Sequence, residues 1–142
     1  MRSGFTLPEL AIVMAVTGLL MLIGIPRLGS ALDRIAVDQA ASDVTMTIAV
    51  ARSLAIALGI RTRVLIRRDS LVVDTLGADG WAPWRASGGP DGHRVALDVS
   101  NPTIVFSGNG LAWGLSNTRV VLTRGSHAET ITMSRVGRVK RW

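Results

Sequence analysis

The sequence predicts an α+β fold in which one long N-terminal helix packs on a small antiparallel β-sheet head, and three observations carry that prediction. Residues 5–25 form an apolar run whose single charge is Glu9. Between residues 32 and 58, apolar side chains recur at three- and four-residue intervals, the period of a helix with one buried face. After Gly59 the period falls to two, that of a half-buried strand, and Gly-rich turns separate the runs.

Each element follows in order. Crossing the hydrocarbon core of a bilayer takes about 20 apolar residues at about 1.5 Å each, so residues 5–27 suffice for one span. Pro8 falls in the first helical turn, where its missing N–H costs nothing. Thr17, Gly18 and Gly24 are small residues of the kind that allow close helix contact. Pro26 is expected to bend or locally open the helix. The helix then continues as an amphipathic spine over residues 28–59. Leu32, Ile35, Ala36, Ala40, Val44, Ile48, Ala51, Ala55 and Leu58 face inward, Asp33, Arg34, Asp38, Asp43 and Arg52 fall largely between them, and Gly59 is a natural stop.

Residues 60–142 read as a β-rich head. Thr62, Val64 and Ile66 alternate with arginines as a strand, Arg68-Asp69-Ser70 is a turn, and Leu71 to Leu76 is the returning strand. Residues 77–80 and 87–92 read as loops, with Trp81 and Trp84 between them as core or loop anchors, a role also given to Trp113. Val95, Leu97 and Val99 mark a further strand, followed by Ile104 and Phe106. Asn109-Gly110 is a tight-turn signal. Val120 and Leu122, then Ile131 and Met133, form a late hairpin with Gly125-Ser126-His127 at its tip, and residues 136–139 add a final short strand.

The 142 residues make room for about one domain. With no cysteine, thiol catalysis, Cys-ligated zinc and iron–sulfur chemistry are excluded. The formal charge of +6 comes almost entirely from arginine and favours anionic partners. His93 and His127 have no carboxylate or histidine at metal-ligand spacing and read as turn residues. Ser126 beside His127 is no catalytic pair, because adjacent positions at a hairpin tip do not face each other. Gly108-x-Gly110 lacks the third glycine and the following helix of a dinucleotide loop, so it reads as a turn. No constellation supports an enzyme, and no cofactor or metal is implied.

A secretory signal would have a shorter apolar core followed by a small-residue cleavage site, which Pro26-Arg27-Leu28-Gly29-Ser30 does not supply. Arg2 before the span and Arg27 after it leave the positive-inside rule nearly tied. Gly4-Phe5-Thr6-Leu7-Pro8-Glu9-Leu10 is more specific: it resembles the leader-peptidase site of type IV pilins and type II secretion pseudopilins. The resemblance implies that residues 1–4 are a leader, that a prepilin peptidase cuts between Gly4 and Phe5 on the cytoplasmic face, and that Phe5 becomes the N-methylated terminus. Losing Arg2 would take the formal side-chain charge from +6 to +5. Glu9 then matches the family's glutamate at the fifth mature position. A carboxylate inside a span is costly and marks a functional site by itself. Its expected role is to pair with the freed amine of Phe5 on a neighbouring subunit and so set the register of stacked helices.

The layout as a whole resembles the GspH/FimT branch of minor pilins and pseudopilins, including a late Gly-Arg-x-basic tail, here Gly137-Arg138-Val139-Lys140-Arg141. That resemblance implies a single-pass protein of the inner membrane, N-terminus cytoplasmic and head periplasmic, assembled with other pilin or pseudopilin subunits. Two functions follow. One is a structural minor pseudopilin of a type II secretion pseudopilus, whose head contacts tip subunits or exported cargo. The alternative is a FimT-like minor pilin of natural transformation, since FimT-type pilins bind DNA through such a tail. For that alternative Arg135, Arg138, Lys140 and Arg141, closed by Trp142, are the candidate phosphate-binding residues, with Arg119 and Arg124 as extensions. The competing reading of the same charges is an edge strand protected from pairing.

Overall fold

The computed structural model describes residues 6–114, 117–134 and 136–142, with only the backbone of residues 23–27. The chain divides into two compact units, Met1–Leu32 and Asp33–Trp142. One helix, α1 (Leu7–Leu58, 52 residues), contributes to both. It runs through Pro26 without the local opening expected there. A proline's φ of about −65° is itself helical, so one lost hydrogen bond need not end a helix.

Within the first unit, the apolar side chains of residues 7–22 are exposed, Leu7, Met14, Leu19 and Leu22 among them. The Thr17 hydroxyl donates to the carbonyl of Val13 at 2.7 Å, so it carries no unmet hydrogen bond into an apolar setting. Among the described residues Leu28–Leu58 also has the length and composition to cross a membrane. Its apolarity is instead that of a core helix, because the side from Ala36 to Ala55 is buried in the second unit.

The second unit joins that helical face to two four-stranded antiparallel sheets, where a single sheet was expected. The first has the order β3-β2-β1-β5, from β1 (Thr62–Ile66), β2 (Ser70–Gly77), β3 (Gly80–Gly88) and β5 (Thr103–Phe106). The second has the order β4-β6-β7-β8, from β4 (Ala96–Val99), β6 (Thr118–Arg124), β7 (His127–Met133) and β8 (Val139–Arg141). Both inner faces meet α1 in one core that includes Val64, Ile66, Leu71, Ile104, Phe106, Val120, Leu122 and Ile131. The helix meets them largely with small residues, Ala36, Ala40, Ala41, Ala51 and Ala55, which let strand side chains close on its backbone. The stripe is shorter than its periodicity suggested: Leu32, Ile35 and Leu58 are exposed.

Polar contacts fix the helix to the sheets. The buried hydroxyl of Thr62 donates to the Ala51 carbonyl at 2.8 Å. Arg52 donates to the carbonyls of Gly110 (3.0 Å) and Gly137 (3.4 Å), both at positive φ, and so holds one turn from each sheet. Arg124 pairs with Asp33 at 2.7 Å and donates to the His93 carbonyl at 2.6 Å.

Three expectations need correction. Between and into the loops expected at 77–80 and 87–92 runs the strand β3, Gly80–Gly88, whose residues are nearly all exposed, so no alternation marks it. A 3-10 turn, Pro90–His93, occupies the loop that follows. The last strand is 139–141 rather than 136–139, because Gly137 at φ 74° closes a turn with its N–H donating to Ser134. Trp81, Trp84 and Trp113, expected as core or loop anchors, are 36%, 49% and 53% exposed, so none is in the core; Trp81 and Trp84 lie in β3 and Trp113 in the loop after β5. Arg63 stacks over Trp81 (4.6 Å) and Arg61 over Trp113 (4.0 Å), which satisfies their rings at the surface.

Candidate functional site

The start of α1 is built by three residues. Thr6 precedes the first helical residue, and its carbonyl accepts from Leu10 N–H at 3.1 Å. Glu9, three residues on, reaches back so that its Oε2 accepts from the Thr6 backbone N–H (3.4 Å) and hydroxyl (3.5 Å). This is the glutamate half of a capping box, and the negative charge sits at the positive end of the helix dipole. The Thr-x-x-Glu spacing that allows this contact is legible in the sequence. Glu9 is exposed, so the local contact leaves its other oxygen open. Gly4 and Phe5, the expected cleavage pair, lie outside the described residues.

The C-terminal basic cluster is divided by strand geometry. In β8 the pairs are Met133↔Val139, Thr132↔Lys140 and Ile131↔Arg141. Paired residues share a face and neighbours along a strand oppose. Ile131 and Met133 are buried, so Arg141 lies on the side of the helix, where it pairs with Glu129 on β7 and Asp38 on α1. The hydrogen bond to Glu129, together with that to Asp38, raises the Arg141 pKa above its ordinary value. Its charge is thus already matched within the fold.

Lys140 lies on the opposite face. Arg119 pairs with Thr132, and Thr132 with Lys140, so Arg119, Thr132 and Lys140 form a row across three strands. Trp142 extends β8, exchanging both backbone hydrogen bonds with Thr130, and Lys140 lies 5.1 Å from its ring. Arg119, Arg138, Lys140 and Trp142 are all exposed. Arg135 lies outside the described residues, and Arg124 faces the helix in its pair with Asp33. The structure therefore gathers part of the expected set, the extension Arg119 included, and directs Arg141 and Arg124 inward.

Of the two histidines, His93 does have a carboxylate, which spacing could not show: Asp43 on α1, 50 positions away, at 2.9 Å. Among the described residues no three His, Cys, Asp or Glu side chains are grouped to hold a metal ion.

Comparison with known proteins gives two results. Residues 1–25 match the prokaryotic N-terminal methylation motif. The fold is shared with the type IV minor pilin FimU of Pseudomonas aeruginosa (TM-score 0.63, 17% identity, 75% of this chain and 88% of that one). It is shared equally with the minor pseudopilin EpsH from the type 2 secretion system of Vibrio cholerae (TM-score 0.61, 17% identity, 75% of this chain and 95% of that one). No curated protein sequence gives a significant match. The chain thus carries a prepilin-type N-terminal motif and has a pilin-like fold.

Proposed function

We propose that the chain is a non-enzymatic minor subunit of a type II secretion pseudopilus, cut between Gly4 and Phe5 and methylated on Phe5 by a prepilin peptidase. Before assembly it would reside in the inner membrane by one span, N-terminus cytoplasmic and head periplasmic. The observation that carries this reading is a methylation motif leading directly into a helix whose first part, residues 7–22, has exposed apolar side chains and Glu9 as its one charge. An exposed apolar helix needs either lipid or neighbouring helices around it, and an assembling filament supplies first one and then the other. The pilin-like fold supports the same reading.

In this reading Glu9 has two partners in sequence. Its contact with Thr6 caps the helix in the membrane-held subunit. In the filament its carboxylate meets the amine of the processed Phe5 on an adjacent subunit, where two desolvated opposite charges favour each other strongly. The test is intact-mass spectrometry of the membrane form from cells with and without prepilin peptidase. Loss of residues 1–4 and gain of one methyl group, only with the peptidase, is the expected result. A chain that keeps Met1 in its presence is a simple membrane anchor, and the proposal fails.

A second reading, DNA capture by a FimT-like minor pilin, is favoured by the row of Arg119, Thr132 and Lys140 with Trp142 beside it. A flat face with exposed cations and one stacking ring suits a phosphate backbone. Retardation of DNA at low salt, with a log–log salt slope of about −0.9 per phosphate contacted, tests it. Absence of retardation at low salt ends this reading and leaves export, with cargo or tip subunits as the head's partners.

A further inference from the structure

A groove of about 350 Å³ lies in the second unit between α1 and the first sheet. Its floor is Leu71 and Val73 of β2, one wall is Met46 and Val50 of α1, and the other is Arg85 and Ser87 of β3. The sheet is wider than the helix that covers it. Leu71 pairs with Ser87 and Val73 with Arg85, so both β3 residues lie on the helix side of the sheet, yet both are exposed. The floor residues are only 1% exposed, so the groove is a trough beside the core rather than a gap within it.

An irregularity in β3 shapes the mouth of this trough. The register steps from Val73↔Arg85 to Asp74↔Pro83, which leaves Trp84 as the extra residue of a bulge. A bulge suspends strand alternation and re-aims a side chain. Here Trp84 lines a second depression with Met46, Ala49, Val50 and Leu54, continuous with the first through Met46 and Val50. Trp84 and Arg85, adjacent in sequence, thus both border the helix side. Trp84 is 49% and Met46 62% exposed. Tryptophan and arginine around an apolar floor form the composition that concentrates binding energy at interfaces.

Charge and edge geometry select the occupant. Arg85 has no ion pair among the described residues, whereas the groove's other basic side chain, His93, is matched by Asp43. Strand β3 is the free edge of its sheet, and from Arg85 to Gly88, beyond Pro83, its outward backbone groups are open to pairing. We propose that this groove binds an extended acidic–aliphatic segment of a partner subunit, which pairs with Arg85–Gly88 as an added strand. It places an aliphatic side chain over Leu71 and Val73 and a carboxylate on Arg85. The groove lies within Asp33–Trp142, so its binding is separable from the outcome of N-terminal processing. The competing use of Arg85 and Pro83 is to guard the edge against unwanted pairing.

Fluorescence anisotropy on the full chain in mild detergent separates these uses. The probe is a labelled synthetic peptide alternating valine and aspartate, and the control replaces aspartate with lysine. Saturable binding of the acidic peptide only is expected, weakened about tenfold or more by Arg85→Glu. Val50→Trp, which fills the trough, should abolish it, and Lys140→Gln should leave it unchanged. Equal binding of the lysine peptide, or indifference to both groove variants, overturns the proposal. An Arg85→Glu chain that self-associates while the wild type binds neither peptide assigns Arg85 to edge protection and overturns it as well.

Discussion

The two halves of α1 have similar apolar content and opposite fates. From Leu7 to Leu22 the apolar side chains encircle the helix and are exposed, while from Ala36 to Ala55 they form one stripe and are buried. The difference is patterning. The first half has only Glu9 to interrupt it, so no face is distinguished and any apolar surroundings will do. The second is crossed by Asp33, Asp38, Asp43 and Arg52, which leave one face for the sheets. That face is also built from alanines, which suit close approach to strands, whereas the first half relies on leucine and methionine, which suit lipid. One helix thus carries a general apolar code and a specific packing code in succession.

The contrast breaks if substitutions in the two halves, or in what each half touches, prove interchangeable. Denaturant unfolding of the full chain in detergent, followed by tryptophan fluorescence, measures this. The largest effect is expected for Phe106→Ala, which removes a fully buried ring under the alanine stripe and should cost about 3–5 kcal/mol. Leu19→Ala, a comparable truncation at an exposed site of the first half, should stay within about 0.5 kcal/mol of wild type. Next comes Ala51→Leu, which overpacks the stripe and should cost about 1–3 kcal/mol. Thr62→Val should then cost about 1 kcal/mol, since it leaves the Ala51 carbonyl without its buried donor.

The smallest effects sharpen a second contrast, between neighbouring cations on β8. Arg141→Gln should lower stability by no more than about 1 kcal/mol, because its carboxylate partners are partly solvated. It should leave any salt slope of DNA binding unchanged. Lys140→Gln should do the reverse, leaving stability untouched and reducing such a slope by about 0.9. If both variants change the slope equally, the inward pairing of Arg141 does not remove it from the surface charge.

Much of this was legible beforehand. The helix and its end at Gly59 were readable, because a 3.6-residue period and a glycine at positive φ are local properties. The first hairpin and the late hairpin were readable for the same reason, their alternation being set by one buried face. Strand β3 was not, since a sheet edge uncovered on both faces imposes no alternation on Trp81 to Gly88. The capping contact of Glu9 with Thr6 could have been read from spacing alone.

What the amino-acid sequence determined by itself was the N-terminal motif, the apolar run and the periods of the elements, because each depends on residues close together in the chain. Only the tertiary structure decided that the strands divide into two sheets, that Arg141 turns toward Asp38 while Lys140 faces out, and that Trp84 and Arg85 share a trough beside the core. Those outcomes depend on strand register and on how far a helix covers a sheet. Both are fixed by contacts between residues distant in sequence, which no local pattern encodes.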